Sequence, residues 1–362
     1  MALPFFSNAA KRLDQVVAVD LGARRTKAVH LQKKGDALTL LGYSVQDAPS
    51  VERGASAAAL GAHLRGISKE FGEQTRQVAL AVGVPDAFLR HGEMPPMPVS
   101  DMRQMLRLNS KTYLQQDYPA HVFDCWIIIP RAPAPGPAPA AVAKPNPTGE
   151  ALKQHVLVGG TKRQTLDDLK AACKEAGLLP FRVTPGMVGP TNALEGAEPE
   201  MFSKEVVALV DIGFKNTTIT LLRQGELVMN RVVTIGGDRF TAGLAEALGI
   251  GYAEAEGIKV GMPAEVQQNL EAGITTLGRE LRASIDFFEH QQDVTVNQVL
   301  VSGGSARSEF VIHTLQNELM VPCRTWNPAK AMQLAMPTEQ RLQFEQVAPE
   351  LVVALGTALS AF

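Results

Sequence analysis

Cysteine is scarce in this chain of 362 residues: Cys125, Cys173 and Cys323 are the three it has. They are widely spaced, odd in number and form no CxxC pair, which excludes a disulfide framework and a structural zinc site and fits a reducing cytoplasm. An excess of one charge is missing as well. The 35 Lys and Arg face 37 Asp and Glu, so nucleic acid is not expected as a partner. No apolar run approaches the length of a membrane span, and no transmembrane segment is expected. The opening MALPFFSNAAKRLDQ has an apolar patch too short for a signal-peptide core, with its cations on the wrong side. Leu3, Phe5 and Phe6 there are read as a frayed or lightly packed terminus rather than as a membrane contact.

Several signatures of catalysis and nucleotide binding are absent. There is no GxGxxG after a strand, no Walker A loop, no GxSxG around Ser302 and no HExxH. His30, His155 and His290 lie in apolar or strand-end settings. No nucleophile stands out, and the catalytic residues are unassigned.

What the chain does have is a strand-turn-strand signature that occurs twice, VVAVDLGARRTKAVHL at 16–31 and VVALVDIGFKNTTITLL at 206–222. Each is an apolar run closing on Asp-x-Gly, a short polar turn and a second run. The first continues into ALTLLGYSV and an Ala-rich helix over 55–71, with Leu60, Leu64, Ile67 and Phe71 on one face. The second continues into GELVMNRVVTIGG and another helix, so the halves repeat one order of elements. Helices are expected at 252–260, 264–276 and 278–290, then a strand, a Gly303-Gly304 turn and a helix, and a closing apolar helix over 349–362.

Between the halves lies a segment of different character. After the strand VALAVGVP, the spacing predicts a β-α-β-β-α insertion over 86–176, with Ser100 and Thr161 as helix caps. RAPAPGPAPAAVAKPNPTGE inside it is read as a long hairpin loop, because its Pro and Ala content cannot build a core. The expected organisation is a first domain over 1–85, the insertion over 86–176 with its Pro-rich loop at 130–149, and a return to the first domain over 177–204. A second domain over 205–345 and a helix over 346–362 that returns to the first complete it.

An Asp-x-Gly after a strand is also an ordinary turn, since Asp caps nearby amides and Gly accepts positive φ. Either copy alone reads that way. Two copies at matching places, with a glycine turn after a third strand, read as amide nests for phosphate. Asp20 and Asp211 would repel phosphate and are assigned to Mg2+ or its water, while Thr26, Lys27, Asn216 and Thr217 supply donors. Glu256 and Lys259, at i and i+3, read either as a grip on ribose and base or as an exposed intrahelical ion pair.

These motifs in this order resemble the actin-like ATPase superfamily, and within it the PilM family of type IV pilus assembly. The residues that carry the resemblance are the two hairpins, the helix around EAEGIK, LVSGGSARSEF and the closing LVVALGTALSAF, so it spans about residues 15 to 362. It implies an α/β fold, a duplicated actin-like (ribonuclease H-like) body of two domains with a small α/β insertion. It also implies that ATP or ADP binds with Mg2+. Gly22, Thr26 and Lys27 match the first phosphate loop, Gly213, Asn216 and Thr217 the second, and Gly303, Gly304 and Ser305 the adenosine loop. Asp20 and Asp211 match the metal side, and Glu256 with Lys259 the base side.

The resemblance further implies a cytoplasmic scaffold, peripheral to the inner membrane, that docks the N-terminal peptide of a PilN-like membrane protein of a PilN/PilO-type complex. Hydrolysis is expected to be slow or absent, since no residue is identified to orient an attacking water. A sugar or acyl kinase and an FtsA-like filament-forming tether are the alternatives. The first loop departs from the family in Arg24 and Arg25, where small residues are usual, and the second in Phe214 and Lys215. The two arginines either clamp phosphate or fill its place.

Overall fold

The computed structural model describes residues 1, 3–7, 13–49, 56–72, 75–129, 153–261 and 264–362. The Pro-rich loop expected at 130–149 lies outside them. The chain opens with β1 (Phe6–Ser7) and a meander of β2 (Gln15–Leu21), β3 (Arg25–Lys34) and β4 (Ala37–Asp47). Next come α1 (Ala57–Glu70), β5 (Gln77–Val82), β6 (Ala87–Met94), α2 (Val99–Leu114), β7 (His121–Ile127), β8 (Gln154–Lys162), α3 (Arg163–Ala176), β9 (Leu179–Pro185), α4 (Gly189–Ala197) and α5 (Pro199–Lys204). The second half holds β10 (Val206–Ile212), β11 (Thr217–Arg223), β12 (Glu226–Val233), α6 (Gly237–Leu248), α7 (Tyr252–Gly261), α8 (Ala264–Gln292) and β13 (Gln298–Ser302). It closes with α9 (Glu309–Leu319), β14 (Cys323–Thr325), β15 (Gln333–Leu334), α10 (Thr338–Val347) and α11 (Val352–Leu359).

Two of the sheets repeat one plan. The first runs β1-β9-β5-β2-β3-β4-β15 and the second β12-β11-β10-β13-β14. In each, an antiparallel meander (β2-β3-β4, β10-β11-β12) is joined through its first strand to two parallel strands (β5-β9, β13-β14). The central strands β2 and β10 read as unbroken apolar runs because helices cover both faces, and a strand buried on both sides shows no alternation. A third sheet, β6-β8-β7, packs Met94, Phe123, Cys125, Val156 and Val158 against Met102 and Leu106 of α2 as a small core of its own.

The helices tie these layers together. Ser56 caps α1 by accepting from the Ala59 amide. α3 lays Leu166, Leu169 and Cys173 in the same core as Leu64 and Ile67 of α1 and Val17 and Val19 of β2. That core continues to Val207 and Leu209 of β10, so apolar burial joins the two large sheets. On the other face of the first sheet, Leu351, Ala354, Leu355 and Ala358 pack with Val29, Leu31 and Ala79. Gly356 lets α11 pass close to α4, since a Cβ there would lie 1.8 Å from the Gly189 carbonyl oxygen.

Several local expectations change. The helices expected at 264–276 and 278–290 are one helix, α8. It runs without a break through Leu277 and Gly278, and the glycine serves close packing on α9, since a Cβ there would lie 2.7 Å from Glu318 Cβ. Helix α2 starts at Val99 after Pro98, and Ser100 Oγ donates to Asp101 Oδ1 rather than capping. Thr161 belongs to β8, with its hydroxyl on the Asp86 carbonyl. The N-terminus is not frayed: Leu3 and Phe5 are buried in the first core, and β1 pairs with β9. Two apolar side chains seated between sheets offset the ordering cost that usually frees a terminus. Among the described residues, no helix is long and apolar enough to cross a membrane.

Candidate functional site

Both Asp-x-Gly turns stand at the carboxyl ends of the central strands β2 and β10, and the Gly303 turn follows β13, the parallel neighbour of β10. Carboxyl ends of parallel strands are where open α/β sheets present ligand sites. Gly303 has φ +93°, and a Cβ there would lie 2.2 Å from the Ile212 carbonyl oxygen, so only glycine lets the third turn lie against the end of β10. The three turns line one cleft of about 910 Å³.

Eleven of the thirteen residues expected at the site line this cleft: Asp20, Gly22, Lys27, Asp211, Gly213, Asn216, Glu256, Lys259, Gly303, Gly304 and Ser305. Thr26 and Thr217 do not. Thr26 is buried with its hydroxyl 2.9 Å from His63 Nε2, and Thr217 donates to the Ile235 carbonyl at 2.7 Å. Strand alternation explains both. Asp20 stands opposite Lys27 and Asp211 opposite Thr218 in the hairpin registers, so the residue one before each faces away. Thr218 lines the cleft and was missed, though pairing the hairpin strands places it directly opposite Asp211.

The cations that line the cleft each lie against a carboxylate, whereas Asp211 does not face a cation within ion-pair distance. Lys27 Nζ lies 3.0 Å from Asp20 Oδ2. Burial works against that ammonium, but Asp20 first, then Asp211 and Glu350, hold the Lys27 pKa above its usual value. Asp211 accepts from Ser302 Oγ at 2.9 Å. Its burial raises the carboxyl pKa, with Lys27 and Ser302 opposing and Asp20 adding to the rise. Mg2+ is satisfied by one or two carboxylates completed by water and phosphate, and Asp20 and Asp211 supply that much. Among the described residues no group of three or more His, Cys, Asp or Glu is arranged to hold a metal alone, so an ion here would depend on phosphate oxygens.

On the far side, Glu256 and Lys259 of α7 are 9% and 6% exposed, which removes the reading as an exposed ion pair. Lys259 Nζ lies 2.8 Å from Glu256 Oε2 and donates to Thr241 Oγ1 at 2.7 Å and to the Gly237 carbonyl at 3.0 Å. Thr241 also donates to Glu256. Burial pushes the Glu256 pKa up, yet Lys259, Thr241 and Arg24 together hold it below the ordinary range. Burial is the larger influence on Lys259, whose pKa is lowered.

The arginines of the first turn fill part of the opening. Arg24 Nη2 lies 3.5 Å from Glu256 Oε1, and its guanidinium is 5.3 Å from the Phe214 ring of the second turn. Arg25 Nη2 lies 2.6 Å from Glu350 Oε2, and Arg307 of the third turn reaches the other oxygen at 3.3 Å. Glu350, Arg307 and Thr241 were missed. A lone Glu just before the apolar helix LVVALGTAL is the one sequence signal that points to the first of them.

Two sheets of one topology, joined by a cleft with an Asp-Gly turn from each, define the actin-like ATPase fold. Residues 141–362, more than half of the chain, match the family described as Type IV pilus assembly protein PilM, and the chain belongs to that family. A chain of the solved PilM-PilN type IV pilus biogenesis complex is similar over 97% of this chain and 99% of that one, with 23% identity and a TM-score of 0.80. The ethanolamine utilization protein EutJ from Carboxydothermus hydrogenoformans matches 98% of this chain and 92% of its own at 16% identity and TM-score 0.56. MreB5 of Spiroplasma citri bound to AMPPNP matches 96% of each chain at 13% identity and TM-score 0.52.

Proposed function

We propose that the protein is an adenine-nucleotide-binding scaffold of type IV pilus assembly that docks the N-terminal segment of a PilN-like membrane protein and so sits at the inner membrane through that partner. The observation that carries the nucleotide part is the convergence of the Gly22, Gly213 and Gly303 turns on one cleft with Asp20, Lys27 and Asp211 between them. MreB5, of the same fold, is bound to AMPPNP. In this reading Gly22 and Gly213 approach the phosphates, with Lys27, Asn216 and Thr218 as donors and Asp20 and Asp211 on the Mg2+ side. Gly303, Gly304 and Ser305 lie against the nucleoside, and Glu256 and Lys259 face the ribose and base. Bound Mg2+ would neutralise phosphate charge; the chain's residues orient it and exclude water from the buried α7 pair.

The docking part is supported by the likeness, over nearly both full lengths, to a chain of the PilM-PilN complex. A second crevice, of about 270 Å³, lies between Pro4 and Phe5 of the N-terminal segment and Val122 and Phe123 at β7. Arg103, Arg107 and Arg163 stand around it, so it joins a small apolar floor to three cations beside the small sheet, a place for a short extended segment. Titrating the full chain with a fluorescent ATP analogue and Mg2+, and separately with the partner's N-terminal peptide, tests both parts. Saturable binding of each is expected, with the nucleotide signal lost in Asp211→Ala and the peptide signal kept. Absence of nucleotide binding under all conditions defeats the first part, and absence of peptide binding the second.

A further inference from the structure

We propose that the cleft carries its own tie, in which Arg24 and Arg25 hold the two halves together without any nucleotide and Arg24 passes from Glu256 to phosphate when one enters. A ligand between two sheets ordinarily supplies the contacts that bridge them. Here two neighbouring residues of the first turn already do so, and because they are adjacent at the start of β3 their side chains leave in different directions.

Arg25 reaches Glu350, whose side chain is 1% exposed, and Arg307 of the third turn holds the same carboxylate. The Gly303 amide donates to the Pro349 carbonyl at 2.8 Å, so Glu350 is anchored to the third turn by backbone as well. First turn, carboxylate and third turn thus form one continuous link across the base of the cleft. Arg25 Nη2 also lies 3.3 Å from where a Gly304 Cβ would be, so the guanidinium passes close over the third turn.

The two contacts differ in weight. Arg24 and Arg25 are exposed alike, at 41% and 34%, but their carboxylates differ. The Glu256 side chain keeps 11% exposure and is also held by Lys259, while that of Glu350 keeps 1%. Ion pairs that water can reach are weak. Glu350 is desolvated, and stripping a partner from a buried carboxylate costs far more than a surface pair is worth. The Arg25 link therefore holds the halves, while the Arg24 link is the one that exchanges. A guanidinium fork matches carboxylate and phosphate equally well. Transfer of Arg24 from Glu256 to a phosphate oxygen keeps one cross-cleft contact and frees Glu256 to face the ribose. Small residues at these positions would make neither contact.

Only the exchange step rests on the nucleotide reading of the cleft; the tie itself consists of contacts within the chain. Hydrogen exchange on the full chain without nucleotide tests it. In the nucleotide-free wild type, amides of residues 213–218 and 252–261 set the reference, since bound nucleotide would protect several of them directly whatever the tie does. In nucleotide-free Arg24→Ala/Arg25→Ala the same amides should exchange about tenfold faster or more. Should the double variant lose its cooperative melt, Arg25→Ala alone decides by the same comparison. Wild-type rates in the empty variant overturn the tie. Analogue binding measured in parallel separates the two ideas: a wild type that binds no nucleotide defeats the exchange step, while the empty-state comparison still decides the tie.

Discussion

Lys27 faces Asp20 across the first hairpin at 3.0 Å, and in the second hairpin Thr218 holds the equivalent place opposite Asp211. The duplicated strands therefore carry an asymmetric pair of sites, one with a compensated carboxylate and one without. The asymmetry gives the two aspartates opposite effects on stability.

Replacing Lys27 by Met keeps the aliphatic stem but leaves Asp20, 8% exposed, without its ammonium. A loss of about 3 kcal/mol is expected, read as a lower urea midpoint, and Lys27→Met/Asp20→Asn should recover most of it. If the single variant melts like the wild type, the pair contributes little.

Asp211 has a carboxyl pKa raised above 3.8, burial being the main cause. Such a group binds a proton more readily folded than unfolded, so stability falls as pH rises from the unfolded value through the folded one. Asp211→Asn, which keeps an acceptor for Ser302, should melt higher than the wild type at pH 7, and the gain should vanish as pH falls below 3.8. The same variant should bind nucleotide more weakly, a common cost of a functional carboxylate. A variant less stable than the wild type at neutral pH contradicts this.

Thr217 and Thr218 separate structure from site. Thr217→Val leaves the Ile235 carbonyl without its hydroxyl donor, for an expected loss of about 1–2 kcal/mol with nucleotide affinity unchanged. Thr218→Val should do the reverse, weakening the ligand by several-fold with little change in melting. Matched titrations and melts of the two variants check the alternation directly.

The N-terminal segment should matter to the whole fold. Leu3→Ala removes a fully buried side chain and should cost about 2 kcal/mol or more, while Ser7→Ala, at an exposed position, should be neutral. Equal melting of Leu3→Ala and the wild type would return the segment to a loosely held terminus.

Much of this was legible in residue order. The doubled Asp-x-Gly hairpins, the third glycine turn and the β-α-β-β-α run between the halves are local patterns, and local patterns follow from periodicity and turn chemistry. The break expected between 276 and 278 is absent, because Leu277 is a buried position of one continuous helix and Gly278 admits α9, whose Glu318 only the fold brings near. Thr26 and Thr217 were misassigned because residues within a turn motif are adjacent in sequence but alternate in direction once the strand resumes.

By itself the sequence determined the two-fold repeat of elements and which turns carry a carboxylate beside a glycine, since φ preference and strand pattern act over a few residues. Only tertiary structure decided what Arg24 and Arg25 do. Their partners, Glu256 and Glu350, lie more than two hundred residues away in the chain and are brought within 3.5 Å and 2.6 Å when the core that joins the two sheets sets the width of the cleft. Ion-pair strength depends on burial and distance, and neither exists before the chain has folded.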